Sequence, residues 1–300
     1  MHSAAAWGPG TSRRGRPSSG RRESADDDGA SATKVSDASR QFSEEDLQRL
    51  RAHPFVGSLQ YLASTESTNT TALRQAAAFD GPLPLLVLTE RQTGGRGRGS
   101  NVWWADRGAL TFSLLIDASH SQLPQRQWPA ASLLTGLAVA EACDAFLPPG
   151  WAGVKWPNDV LVQGRKLSGV LVESPSDAGQ RLVLGMGVNV NNAADRAPAE
   201  LRPRVVSLCE LLGREAALAD VLAAILDRLA HWLGLLGEGM ADLVPPFADR
   251  CVLTARELVV VQPARRIQGR CLGIGPDGAL EVATPTGVER CFSGVVTVLD

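Results

Sequence analysis

Residues 90–103 read Glu-Arg-Gln-Thr-Gly-Gly-Arg-Gly-Arg-Gly-Ser-Asn-Val-Trp, and they sit between two apolar runs, Leu85–Thr89 and Ala109–Ile116. Both runs have the length and residue types of buried strands. Four glycines, Gly94, Gly95, Gly97 and Gly99, free the backbone N–H groups for close approach to a ligand. Arg96 and Arg98 add fixed charge on planar donor forks suited to carboxylate or phosphate. Gly/Arg-rich tracts also occur as disordered RNA-binding tails, but those repeat and are not hemmed in by core strands. The placement therefore predicts an ordered, flexible loop that closes over an anionic ligand. It is neither a Walker loop nor a GxGxxG dinucleotide loop, because neither spacing is present.

That ligand must be recognised locally. The chain of 300 residues carries a net charge of −2, so no global field recruits nucleic acid or membrane. Its 44% hydrophobic content suffices for one large core or two smaller ones. No apolar run has the length of a membrane span, and the N-terminus lacks the apolar segment of a secretory signal. Cys143, Cys209, Cys251, Cys271 and Cys291 form no CxxC pair and read as reduced thiols of a cytoplasmic protein. His2, His53, His120 and His231 pair with no cysteine at ligand spacing, so no structural metal is expected.

Residues 1–40 are rich in Ser, Gly, Ala, Arg and Asp and read as disordered. Ser43-Glu44-Glu45-Asp46 predicts a helix start. A strand at Leu59–Ala63 precedes Ser64–Ala78, a loop passing into a helix capped by Ser67 or Thr68. Further strands are expected at Leu110–Ile116, Val154–Pro157, Val160–Val162, Leu167–Glu173 and Leu182–Val190, with a hairpin turn at Gly164-Arg165. Helices are expected over Trp128–Leu147 and Ala216–Leu236. From Cys251 the pattern becomes short strands, at Leu258–Val261, Ile267–Ile274, Leu280–Thr284, Val288–Cys291 and Val295–Leu299, with a turn at Pro276-Asp277-Gly278. It reads as a small all-β barrel appended to an α/β domain, with the boundary near Pro245–Arg250.

Three further stretches carry chemistry. In Val154-Lys155-Trp156-Pro157-Asn158-Asp159-Val160, Lys155 ends a buried strand just before a tight turn. Such a position aims one ammonium into a cleft, where it neutralises a carboxylate and phosphate. In Lys166-Leu167-Ser168-Gly169-Val170-Leu171-Val172-Glu173, Gly169 points to close approach of a backbone or ligand. Lys166 stays open between a phosphate contact and a solvated surface. In Gly185-Met186-Gly187-Val188-Asn189, two glycines inside a strand require either a flat ligand or a β-bulge, and this motif alone leaves the choice open.

Taken in this order, Ser67-Thr68-Asn69, Gln92-Thr93-Gly94-Gly95-Arg96-Gly97-Arg98-Gly99, Lys155-Trp156-Pro157-Asn158-Asp159, Lys166–Glu173 and Gly185–Asn189 resemble the biotin protein ligases. The resemblance covers about residues 55–300. It implies the α+β class: a disordered tail over 1–42, a mixed-sheet catalytic domain of the class II aminoacyl-tRNA synthetase type over 43–248, and a small SH3-like β-barrel over 249–300. It implies a ligase that uses ATP and Mg²⁺, the latter bound with the substrate, to activate biotin as biotinyl-5′-AMP. Biotin then passes to a lysine of a biotin carboxyl carrier protein. By resemblance, Lys155, Arg96 and Arg98 are catalytic. Ser67, Thr68, Asn69 and Gln92 hydrogen-bond the biotin head group, Gly95, Gly97 and the two arginines line the closing loop, and Gly169, Gly185 and Gly187 give room for the bicycle. Trp103 covers the adenylate, with Asn158, Asp159 and Lys166 beside it, and Asn189 approaches the adenine.

Many bacterial members continue the loop with another Arg/Gly pair. This chain has Gly99-Ser100-Asn101-Val102-Trp103-Trp104 instead, closer to the eukaryotic form. Residues 1–54 are too short and polar for the winged helix of the bifunctional members, so no specific DNA binding is expected, and the oligomeric expectation is a monomer or weak homodimer. The neighbouring activity is lipoate or octanoate ligation on the same broad fold. A nucleic-acid-binding module would need a basic, aromatic-rich surface, which an acidic chain with 5% aromatics does not offer.

Overall fold

The computed structural model describes residues 40–119, 130–176, 179–235 and 241–299. The tail expected to be disordered falls almost wholly outside these residues, as do Trp128 and Pro129. Helix α1 (Glu44–Arg51) begins where the sequence places it. The Asp46 N–H donates to Ser43 Oγ at 3.1 Å and the Ser43 N–H to Asp46 Oδ2 at 3.0 Å, a reciprocal capping box. Leu47 and Leu50 turn inward from it. Ser43→Ala removes one half of that exchange and is expected to cost about 1 kcal/mol. Calorimetry then reads a Tm lower by about 2–4 °C, and an unchanged Tm rejects the cap's contribution.

Strands β1 (Ser58–Leu62), β2 (Leu85–Thr89), β3 (Ala109–Asp117), β4 (Ala152–Lys155), β5 (Asp159–Val162), β6 (Arg165–Glu173) and β7 (Arg181–Asn189) form one sheet in the order β1-β2-β3-β7-β6-β5-β4. Only β1 and β2 run parallel; every other pair is antiparallel. The sheet is thus mixed, as the α+β class requires, and not the parallel sheet of an α/β domain. Helix α2 (Thr68–Gln75) packs against β2, β3 and β7, while α3 (Ala130–Ala142) packs against β4, β5 and β6. Nearly every residue of α3 is buried, because α5 (Leu218–Leu235) closes it from outside. A helix so covered is apolar all round. Among the described residues no helix is long and apolar enough to cross a membrane.

The expected boundary at Pro245–Arg250 is a helix, α6 (Val244–Arg250), preceded in the chain by the short α4 (Leu208–Leu212) and α5. Pro245 and Pro246 stand in its first turn, where the missing N–H groups cost nothing. Beyond it, β8 (Glu257–Val261), β9 (Arg266–Ile274), β10 (Leu280–Thr284), β11 (Gly287–Cys291) and β12 (Val295–Val298) form a separate antiparallel sheet in the order β11-β10-β9-β8-β12. This sheet is tied to the larger one through the segment that leads into it and through one of its turns. Cys251 bridges Val154 of β4, and the buried Trp156 indole N–H donates to the Gly278 carbonyl at 3.2 Å. Gly278 takes φ +81° in the predicted Pro276-Asp277-Gly278 turn.

Candidate functional site

The Gly/Arg stretch folds as a small hairpin, more regular than a flexible loop. Arg96 bridges Val102, the Gly97 N–H donates to Asn101 O at 2.8 Å, and the Trp103 N–H donates to Gly95 O at 3.1 Å. A side chain at Gly95 would begin 2.4 Å from the Trp103 carbonyl, so only glycine closes this hairpin. The hairpin stands over a cleft with a cavity volume of about 620 Å³. Its floor comes from β6 and β7 and one wall from α2. The opposite wall comes from the Lys155–Asp159 turn and from Val261, Pro263 and Ser293–Val296 of the C-terminal sheet.

Of the predicted site residues, Ser67, Thr68, Asn69, Gln92, Arg96, Gly97, Arg98, Trp103, Lys155, Asn158, Asp159, Lys166, Gly169, Gly185 and Gly187 line this one cleft. Gly95 and Asn189 do not line it. Gly95 sits in the hairpin base. Asn189 is 2% exposed; its Nδ2 donates to the Lys166 carbonyl at 3.3 Å and its Oδ1 accepts from Asn192 Nδ2 at 2.8 Å. Both ends of its amide are engaged by these two partners, and its approach to an adenine stays an expectation.

The two glycines of β7 are explained without a bulge, since β7 keeps continuous register with both β3 and β6. A Cβ at Gly185 would fall 1.9 Å from Asn69 Oδ1, and one at Gly187 would fall 2.2 Å from Trp103 Cε2. The flat group over Gly187 is therefore the chain's own indole. Its Nε1 is buried with no hydrogen-bond partner, and the Lys166 ammonium lies 5.7 Å from the ring centroid.

At the α2 end, the Thr68 N–H and hydroxyl donate to Gln92 Oε1 at 2.8 and 3.2 Å. Ser113 Oγ lies 2.7 Å from Thr68 Oγ1 and 2.6 Å from Asn69 Oδ1. Asn69 Nδ2 donates to Leu171 O at 3.0 Å and Glu173 Oε2 at 2.9 Å. Ser113, from the middle of β3, and Glu173, at the end of β6, were not singled out by sequence reasoning. Their partners lie 44 and 104 residues away, a separation that no local pattern marks.

The cleft carries four cationic side chains, Arg96, Arg98, Lys155 and Lys166, against one carboxylate, Asp159. Lys166 Nζ pairs with Asp159 Oδ1 at 2.6 Å, and Arg98 Nη1 lies 3.4 Å from Asn158 Oδ1. Burial draws the Arg98 guanidinium below its ordinary value, and the Asp159 carboxylate opposes that shift; an arginine remains charged throughout. Lys155, half-buried at the end of β4, has no ion pair or side-chain hydrogen bond among the described residues. Its ammonium is left over for a ligand, as is the Arg98 guanidinium, whose printed partner is the neutral Asn158 amide. No group of three or more His, Cys, Asp or Glu able to hold a metal exists among the described residues.

The five cysteines are unbridged, and none lines the cleft. Burial, with help from Asp144, pushes the Cys143 thiol up to about 12. The hydrogen bond from Cys271 pulls Cys251 below its ordinary value. Iodoacetamide at neutral pH is expected to label Cys251 of the folded protein well before Cys143; equal rates contradict this assignment.

A sequence profile of the biotin/lipoate A/B protein ligase family matches residues 61–191. The bifunctional ligase/repressor BirA of Bacillus spizizenii is 30% identical over 253 residues, covering 78% of this chain and 72% of that protein. The biotin–[acetyl-CoA-carboxylase] ligase of Mycobacterium tuberculosis is 37% identical over 190 residues, 61% of this chain and 68% of that one. Among solved structures, the biotin protein ligase from Aquifex aeolicus in complex with biotin and ATP superposes with a TM-score of 0.69 at 27% identity, over 81% of this chain and 98% of that chain.

Proposed function

The chain belongs to the biotin/lipoate A/B protein ligase family, and on that premise we propose that it is an ATP-dependent biotin–protein ligase. The observation that carries the reading is the cleft's excess of positive charge around an unpaired Lys155. A carboxylate is a poor acyl donor until one oxygen becomes a good leaving group. Activation therefore brings two anions together, the biotin carboxylate and the triphosphate, and cations must stand where that charge gathers. In the first step a biotin carboxylate oxygen attacks the α-phosphorus and pyrophosphate leaves. In the second, a carrier lysine amine attacks the acyl carbon, an amide forms and AMP leaves. The intermediate is the acyl-adenylate, so no cysteine or serine nucleophile is required.

In this proposal Lys155 sits between the carboxylate and the α-phosphate, where negative charge grows most. Thr68, Asn69 and Gln92, with Ser67 just before α2, present the polar end of the cleft to the biotin head group. Gly169 and Gly187 leave the floor flat, and Gly95 and Gly97 let the hairpin carry Arg96 and Arg98 over the ligand. Trp103, with Lys166, Asp159 and Asn158, holds the nucleotide side. Closing the hairpin excludes water from a hydrolysable adenylate. Mg²⁺ would enter with the ATP substrate and would help Arg96, Arg98 and Lys155 neutralise the triphosphate. The proposed acceptor is a biotin carboxyl carrier domain, the proposed division is a catalytic domain over 43–248 with a C-terminal domain over 249–300, and the proposed state is a monomer or weak homodimer.

The test is mass spectrometry of a purified carrier domain incubated with protein, ATP and biotin. The expected product carries one biotinyl group on one lysine. Modification by lipoate in its place moves the chain to the sister activity, and no modification with either acid rejects ligation.

A further inference from the structure

We propose that Glu173 is a positioning residue that competes with the nucleotide for Arg96 and thereby sets how tightly the protein takes up ATP; this rests on the ligase reading above. Arg96 Nη2 lies 2.6 Å from Glu173 Oε1. Arg96 lines the cleft and Glu173 does not. The carboxylate thus holds, from outside the cleft's lining, the guanidinium of a residue that lines it.

The two partners are not equally free to move. The second carboxylate oxygen of Glu173 accepts from Asn69 Nδ2 at 2.9 Å. Asn69 is 3% exposed and is itself held by Leu171 O and by Ser113. It fits against β7 only because residue 185 has no side chain. Glu173 is therefore anchored to the sheet. Arg96 rides on the hairpin and its side chain is 41% exposed. An anion entering the cleft takes the guanidinium away from a carboxylate that cannot follow. Before that exchange Arg96 is neutralised, which disfavours ATP; after it, the freed carboxylate still pairs with Asn69 and is not left unsatisfied.

The magnitude follows from the exposure of the pair. Partly exposed ion pairs are worth up to about 1 kcal/mol, which converts to roughly a two- to fivefold change in affinity. The experiment is the ATP dependence of biotin-stimulated pyrophosphate release. Glu173→Gln keeps the size and the hydrogen bond with Asn69 but releases Arg96, so its KM for ATP is expected to fall about two- to fivefold, with kcat changed less. Glu173→Asp keeps the charge and is expected to restore a KM near the parent value. In an Arg96→Gln background, Glu173→Gln is expected to leave KM unchanged, because the competed cation is gone.

A raised or unchanged KM in Glu173→Gln, or loss of turnover in it, overturns the proposal. A fall that persists in the Arg96→Gln background also overturns it, since simple repulsion of the triphosphate by Glu173 then suffices. Absence of biotin-stimulated release in the parent protein is a different failure: it removes the ligase reading, and this inference with it.

Discussion

Lys155→Ala is expected to lower biotin-dependent pyrophosphate release by about two to three orders of magnitude, the usual loss when one preorganised charge or donor is taken from a developing anion. The reasoning is electrostatic and local. Arg96 is paired with Glu173, and Lys166 with Asp159. Lys155 has no such partner among the described residues, so its charge is fully available to the reacting groups. It stands at the last position of β4, fixed by pairing with Asp159 across the turn. The strand holds its Cα while the side chain reaches into the cleft. Truncation removes no core packing, because the buried members of β4 are Ala152, Gly153 and Val154. Thermal unfolding is therefore expected to stay within about 0.5 kcal/mol of the parent, as for surface substitutions. Adenylate formation at the parental rate would falsify the role given to Lys155. A large drop in Tm would mean that the variant reports on folding instead.

Gly185→Ala is expected to damage both stability and activity. The new Cβ falls 1.9 Å from Asn69 Oδ1 and 2.6 Å from its Cγ. Asn69 cannot swing aside cheaply, since Leu171, Glu173 and Ser113 all bond its amide. Nor does β7 yield easily, because it lies in the sheet interior between β3 and β6 in unbroken register. Overpacking of this kind costs about 1–3 kcal/mol, or a Tm lower by roughly 2–10 °C for a domain of this size. Displacing Asn69 also loosens Glu173 and the head-group end of the cleft, so the KM for biotin is expected to rise at temperatures where the protein remains folded. A variant with parental Tm and parental KM shows that the strand or the amide relaxes freely, and the rigidity argued for Asn69 is then wrong.

Much of the fold is legible because the strands announce themselves. Leu85–Leu88 is an uninterrupted apolar run, and the expected strand Leu85–Thr89 has the bounds of β2. The five strands after Cys251 are separated by turn residues and fall within a few positions of their expected places. Ser43–Asp46 carries its capping chemistry in four consecutive residues. Signals of this kind are local, and so survive being read one window at a time. Pro245 and Pro246 open α6 because proline breaks a helix interior yet is well suited to a first turn.

The site is legible as a set of motifs but not as a network. Lys155, Arg96, Arg98 and the β7 glycines stand out by residue type. Ser113 looks like any small polar residue of a strand, and Glu173 looks like a strand terminus. Their importance comes from Asn69, Thr68 and Arg96, which only the folded chain brings to them. Asn189, expected near the adenine by resemblance alone, has partners that no local pattern marks: its amide bonds Lys166 O and Asn192. The wall from Val261, Pro263 and Ser293–Val296 is likewise a product of docking two sheets through Trp156 and Cys251.

The most direct measurement is pyrophosphate release from ATP by the purified protein in the absence of any carrier, with biotin and lipoate added in parallel. The expected result is release that starts on adding biotin, stops after about one equivalent as the adenylate is retained, and does not start with lipoate. Release with lipoate alone, or with neither acid, contradicts the account.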